Sequence, residues 1–187
     1  MLYVNHTRRR QWLSSGETGV ATPRMDMHTK KVMLSVWWGV RGIIHWELIP
    51  DGESVNAEIY VDIMVRVVER LNQPPFKAWS SRHQLYFLHD NARTHATALT
   101  QDRLFDLNWA IVPHASYSPD KFPCDYALFR SMEHNLSGKV FEDEDDVHEF
   151  LEEWFSSKKK SFFHDAFDKL PEIWQEIIDN GGAYIKQ

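Results

Sequence analysis

The stretch that decides the fold is LYFLHDNARTHATALTQDRLFDLNWAIVPHASYSPDKFPCDYALF, residues 85–129. It opens with a short apolar run, Leu85–Leu88, that is followed closely by a carboxylate, Asp90. A second apolar run, Trp109–Val112, leads into a turn-rich segment that delivers Asp125. The carboxyl ends of strands in an α/β sheet meet at one edge, so this pattern predicts two acids placed together above that edge.

The surrounding segments predict strands first and then alternating helices and strands. Runs rich in β-branched and aromatic residues predict strands, and apolar residues at four-residue intervals, as from Ile59 to Leu71, predict a helix. The expected strands are 1–4, 32–38, 43–49, 85–88 and 109–112, and the expected helices are 54–72, 94–107, 123–135, one led by 142–146, 161–170 and 171–180. This order predicts an α/β fold in one domain over residues 1–187, with a mixed five-stranded sheet flanked by helices and extra C-terminal helices.

Composition limits the classes of function. Apolar residues make up 43% of the chain, with eight Trp and eleven Phe, so it should fold. Its one cysteine, Cys124, excludes an internal disulfide and favours a reducing compartment. No run approaches the roughly 18 apolar residues of a membrane span, so no membrane partner is expected. The formal charge of −6 argues against general nucleic-acid affinity, so any DNA contact must be local, as at Arg8, Arg9 and Arg10.

Two polar segments, 5–30 and 142–146, could have either a structural or a functional role. Residues 5–30 carry the arginine cluster and no sustained period, and a loop of that length is usually either functional or disordered. The acidic run 142–146 offers metal ligands on paper, but acids are common where a helix begins, so a structural role is favoured.

Four ordered words within 85–129 carry a family resemblance: HDNARTH at 89–95, PH at 113–114, YSPD at 117–120 and DYALF at 125–129. The 34 residues between Asp90 and Asp125 (91–124) are a further match. Together they resemble the catalytic domain of mariner-type transposases, and the resemblance extends over nearly the whole chain. It implies a ribonuclease-H-like fold and a three-aspartate site for two Mg²⁺ or Mn²⁺ ions, in which Asp90 bridges both ions and Asp125 holds one. Oxygen ligands suit these cations.

The resemblance also implies partners. It makes Arg93 and His95 candidates for phosphate contact beside Arg8, Arg9 and Arg10, and it makes DNA in the nucleus the partner. Residues 5–30 occupy the place of a loop that clamps the partner subunit, which implies a homodimer. Thr94 stands where the family commonly has proline, and KFPC at 121–124 replaces a Leu-Ala-Pro-Ser-like run.

The family pattern places its first aspartate in an Asp-Glu-Lys-Trp-like word that would precede Met1. The chain is therefore expected to be truncated at its N-terminus, lacking that acid and the helix-turn-helix region. Nothing in the sequence aims Glu47 or Asp26 at Asp90 as a substitute. The leading interpretation is a catalytic-domain remnant whose family reaction is metal-dependent DNA strand cleavage and transfer, expected to be defective here. The alternatives are a domesticated DNA-binding or dimerisation module, and an active transposase with a truncated gene model.

Overall fold

The computed structural model describes residues 3–4, 32–50, 52–113, 118 and 121–181. The predicted clamp-like loop at 5–30 and the cluster Arg8, Arg9 and Arg10 lie outside the described residues. Within the described part of the chain, no helix is both long enough and apolar enough to cross a bilayer.

The hairpin predicted around the tryptophans is present. Strand β2 (Met33–Gly39) pairs antiparallel with β3 (Gly42–Ile49), from Met33 opposite Ile49 to Gly39 opposite Gly42. Gly42 adopts φ +117°, a backbone conformation that residues with a side chain rarely take, which explains the glycine at the turn. Trp37 and Trp38 are successive residues of one strand and therefore point to opposite faces of the hairpin, where they join different apolar clusters.

Helix α1 (Ala57–Leu71) packs against one face of the hairpin. Its buried face consists of Tyr60, Ile63, Met64, Val67 and Leu71, close to the face that the four-residue spacing predicts. The helix begins later than position 54, where it was predicted to begin, and Asn56 caps it by accepting a hydrogen bond from the Ile59 amide at 2.8 Å. A short helix, α2 (Lys77–Ser80), follows.

The two apolar runs of the deciding stretch form a parallel pair. Strand β4 (Tyr86–Leu88) pairs with β5 (Ala110–Val112), and helix α3 (Ala98–Asp106) connects them. The prediction that this helix begins at Thr94 is wrong. The Thr94 carbonyl accepts hydrogen bonds from the hydroxyls of Thr97 (3.2 Å) and Thr100 (2.7 Å), so residues 93–97 form a turn and Thr97 caps the helix.

The C-terminal third is helical. A π-helical segment (Cys124–Phe129) runs into α4 (Arg130–Leu136), and α5 (Glu144–Ser157), α6 (Lys160–Asp168) and α7 (Leu170–Asp179) follow. The acidic run begins α5 as expected, with the Asp143 carboxylate accepting from the Asp146 amide at 3.0 Å. Strand β6 (Val140–Phe141), which the sequence did not predict, pairs antiparallel with β1 (Tyr3–Val4).

All five predicted strands are present. Together with β6 they form three two-stranded sheets among the described residues, β1 with β6, β2 with β3 and β4 with β5, where the sequence predicted one five-stranded sheet. Aromatic rings join the hairpin to the parallel pair. Trp37 stacks on Phe87 with ring centroids 5.2 Å apart, and it also contacts Tyr60 at 5.5 Å and Trp109 at 6.5 Å. A second apolar cluster on the hairpin's other face packs against α4, α5 and α6. The layered α/β arrangement thus agrees with the predicted class.

Candidate functional site

Asp90 follows directly after strand β4, as the sequence predicts. Its side chain is 55% exposed, and one of its oxygens, Oδ1, has two short polar contacts. The Ala92 amide donates at 3.0 Å and Nδ1 of His95 lies at 2.7 Å. The carboxylate is therefore held in one orientation while still reaching solvent.

Asp125 lies in the first turn of the helix that follows β5. Its amide donates to the Phe122 carbonyl at 2.9 Å, and its own carbonyl accepts from the amide of Arg130, five residues later. That five-residue bond is the π-helical spacing, which often occurs at functional sites. The helix N-terminus also favours a negative side chain at this position.

The thiol of Cys124 is influenced by the charges of both Asp90 and Asp125. The indole Nε1 of Trp38 donates to its sulfur at 3.1 Å. Burial raises the pKa of the Cys124 thiol to about 12, the Trp38 hydrogen bond acts in the opposite direction, and the negative charges of Asp125 and Asp90 add to the rise. Both aspartates thus lie within electrostatic range of one partly buried thiol, which belongs to the first residue of the π-helical segment and contacts β2 through Trp38.

Tyr60 lies beside Asp90. Burial raises the pKa of its phenol strongly, and the charge of Asp90 followed by that of Cys124 raises it further. The sequence did not single out Tyr60, Trp38 or Cys124 as site residues. Their periodic or apolar contexts indicate only core positions, and no local signal reveals that the fold brings them to Asp90.

Arg93 and His95, the two predicted phosphate contacts, differ in exposure and in the residues around them. Arg93 is exposed in the turn before α3. His95 is only 18% exposed, with its ring 4.3 Å from that of Tyr60 and 5.0 Å from that of His89. Of this pair, Arg93 faces solvent and His95 faces Asp90.

Glu47 is engaged elsewhere. Its Oε1 pairs with Nη2 of Arg66 at 2.7 Å, and its Oε2 lies 3.3 Å from Nε2 of His45. This pairing supports the expectation that Glu47 does not replace the first aspartate. The other acid considered, Asp26, lies outside the described residues.

A cleft of about 480 Å³ opens between α4 and α6, on the helix that begins at Asp125. Arg130, His134 and Lys169 line it together with one acid, Asp165. Arg130 and His134 are four residues apart and therefore share a helix face. The sequence shows that spacing, but it does not reveal that Lys169 lies in the same cleft.

The donor set fits a hard divalent cation. Asp90 and Asp125 offer carboxylate oxygens, which Mg²⁺ and Mn²⁺ prefer. The neighbouring Cys124 stays protonated at neutral pH because of its raised pKa, so it does not turn the site into a thiolate site for softer metals.

Comparison with known proteins identifies the family. The family described as "Transposase (partial DDE domain)" matches residues 2–81. Mariner Mos1 transposase of Drosophila mauritiana is 36% identical over 186 residues, which is 100% of this chain and 54% of that protein. Human histone-lysine N-methyltransferase SETMAR is 33% identical over 187 residues, which is 98% of this chain and 27% of that protein. The chain therefore spans about half of the first relative and about a quarter of the second.

Solved structures agree with the sequence relatives. The Mos1 paired end complex with Mn matches with a TM-score of 0.88 at 38% identity, covering 98% of this chain and 53% of that one. The catalytic domain of Mos1 matches with a TM-score of 0.79 at 39% identity, covering 84% of this chain and 77% of that domain. These matches confirm the predicted ribonuclease-H-like α/β fold, and the chain belongs to the mariner-type transposases, in which it corresponds to the catalytic domain.

Proposed function

We propose that this chain is a catalytic domain for metal-dependent cleavage and transfer of DNA strands, in which Asp90 and Asp125 supply two of the metal-binding carboxylates. The observation that carries the proposal is the placement of the two aspartates after neighbouring parallel strands: Asp90 follows β4, and Asp125 lies in the first helical turn after β5, the strand that pairs with β4. When bound, Mg²⁺ or Mn²⁺ supplies the Lewis acidity that phosphodiester chemistry needs.

The protonation states near the site support attack by water or a terminal DNA hydroxyl. Tyr60 and Cys124 both carry a nucleophilic atom and lie within electrostatic range of Asp90, and both have a raised pKa. A thiol or phenol that stays protonated is a poor nucleophile. We therefore expect no covalent protein–DNA intermediate at either residue. Oxygen from water or from a 3′-hydroxyl forms the new bond to phosphorus while the old phosphorus–oxygen bond breaks.

DNA is the proposed partner. The matched Mos1 structures include a paired end complex and a transpososome. The cleft that Arg130, His134 and Lys169 line supplies local positive charge on the helix of Asp125, which suits phosphate contact in a chain whose net charge is −6. Arg93 and the cluster Arg8, Arg9 and Arg10 remain proposed DNA contacts. Dimerisation through residues 5–30 and a nuclear location belong to the same proposal.

The proposal is tested by measuring DNA cleavage before and after a third aspartate is added to the chain. We propose that the 187-residue polypeptide, with Asp90 and Asp125 as metal-binding carboxylates, cleaves supercoiled DNA weakly in Mn²⁺. Adding an Asp-Glu-Lys-Trp-like word before Met1 should raise cleavage. Asp90→Ala or Asp125→Ala should each lower the cleavage of the extended chain at least about 100-fold, equivalent to roughly 2.7 kcal/mol of barrier.

A matched control is Asp102→Ala, an exposed aspartate on α3. It should cleave as the extended parent does. Cleavage that survives in both Asp90→Ala and Asp125→Ala would contradict the proposed site.

A second candidate function is DNA binding without cleavage. The cationic cleft favours it, because Arg130, His134 and Lys169 need neither aspartate to hold phosphate. The variant that carries both Asp90→Ala and Asp125→Ala discriminates. A binding module would hold DNA in this form, and its parent with the added third acid would not cleave.

A further inference from the structure

The turn after β4 holds Asp90 by one oxygen. Both short polar contacts that reach this carboxylate from the described residues fall on Oδ1: the Ala92 amide donates a hydrogen bond at 3.0 Å, and His95 Nδ1 lies 2.7 Å away as an ion-pair contact. A carboxylate oxygen has about two lone-pair sites, so these donors occupy Oδ1. Among the residues that the structure describes, no hydrogen bond reaches Oδ2.

The neighbours of His95 Nδ1 identify its tautomer. Besides Asp90 Oδ1, this nitrogen lies 3.2 Å from the backbone carbonyl oxygen of Asp90. Both neighbours are acceptors, so Nδ1 carries the proton and donates.

The ring of His95 is itself fixed. Its centroid lies 4.3 Å from that of the Tyr60 ring. The backbone amide and the backbone carbonyl of His95 are both hydrogen-bonded as well. The His95 amide donates to the Ala92 carbonyl at 2.9 Å, and Gln101 Nε2 donates to the His95 carbonyl at 2.6 Å. A donor that is held this firmly can set the direction of the carboxylate it contacts.

We infer that His95 is a positioning residue for Asp90: it holds Oδ1 so that Oδ2 is the oxygen offered to a divalent cation. The inference rests on the proposed metal site and gives His95 a role other than phosphate contact. A histidine that orients a ligating carboxylate typically changes metal affinity by about 10–100-fold when it is lost.

The experiment measures Mn²⁺ binding to the whole chain by electron paramagnetic resonance of free Mn²⁺, without DNA. His95→Leu keeps an apolar side chain of similar size and removes the donor. His95→Asn places an amide nitrogen near the position of Nδ1 and keeps the donor. We expect at least tenfold weaker Mn²⁺ binding in the Leu variant, and recovery to within about threefold in the Asn variant.

The chain offers a matched control. His83 is an exposed histidine whose Nδ1 also lies beside a backbone carbonyl oxygen, that of Trp79, at 2.9 Å. His83→Leu should bind Mn²⁺ as the unaltered chain does. Circular dichroism and thermal unfolding of each variant show whether it is folded.

The outcomes separate the two proposals. Binding that disappears in Asp90→Ala but is unchanged in His95→Leu overturns the role of His95 alone, and so does an Asn variant as weak as the Leu variant. Binding that is absent from the unaltered chain, or unaffected by Asp90→Ala, overturns the proposed metal site and this inference with it. If His95→Leu does not fold, ¹⁵N NMR of the unaltered chain decides: a proton on Nδ1 supports the inference and an unprotonated Nδ1 overturns it.

Discussion

Trp37→Ala tests whether aromatic contacts between the hairpin and the parallel pair hold the site together. Trp37 is 8% exposed, and its ring stacks on Phe87 of β4 at 5.2 Å with an interplanar angle of 3°. Phe87 precedes Asp90 by three residues, so a loss of this contact should reach the carboxylate. The variant should therefore lose both stability and Mn²⁺ affinity.

The expected loss of stability is large. Truncating a buried Trp or Phe to Ala costs about 3–5 kcal/mol, through lost burial and the cavity left behind. Trp37 contacts three rings, those of Tyr60, Phe87 and Trp109, so we expect about 4 kcal/mol. That is a major part of the roughly 5–15 kcal/mol by which an ordinary domain is stable. Trp37→Phe keeps one ring on Phe87 and should cost about 1–2 kcal/mol.

Urea unfolding followed by circular dichroism measures the free energy of unfolding of each variant. Phe105→Ala is the matched control, because this ring is 84% exposed and its loss should change stability by no more than about 0.5 kcal/mol. Equal losses in Trp37→Ala and Phe105→Ala would refute the reasoning, as would full Mn²⁺ affinity in a folded Trp37→Ala chain.

Three further predictions concern pH, DNA and helix capping. The raised pKa of Cys124 keeps its thiol neutral in the folded chain at a pH where the unfolded thiol ionises. The contribution of this thiol to the free energy of unfolding is therefore complete below pH 9 and is lost as the pH rises from 9.0 to about 12. Cys124→Ser should lose less stability than the unaltered chain over that range in urea titrations, and equal losses would contradict this. Arg130→Ala and Lys169→Ala should each weaken DNA binding and lower the slope of log affinity against log salt by about one, whereas Lys77→Ala on α2 should not, as measured by fluorescence anisotropy. Asn56→Ala removes the cap of α1 and should lower the thermal midpoint, at a cost of about 1 kcal/mol; an unchanged midpoint would deny the cap a role.

Local patterns along the chain predict much of the architecture. The hairpin arms at 32–38 and 43–49 follow from runs of β-branched and aromatic residues, and the apolar face of α1 follows from the spacing of its apolar side chains. The prediction that the acidic run at 142–146 begins a helix is confirmed, because Asp143 caps α5. The start of α3 is misread because the hydroxyls of Thr97 and Thr100 take the Thr94 carbonyl, and side chains that compete with backbone hydrogen bonds leave little trace in a periodic pattern.

The order of the acids, their spacing of 34 residues and the family are properties of the sequence by itself, because motifs and periodicity are local along the chain. Only the tertiary structure decides that Trp38 reaches Cys124 across 86 positions of sequence and that one partly buried thiol lies near both aspartates. The same holds for the cleft that joins Lys169 to Arg130 and for the packing of Tyr60 against His95. Burial and charge act through space, so the pKa values and the orientation of Asp90 depend on how distant segments pack.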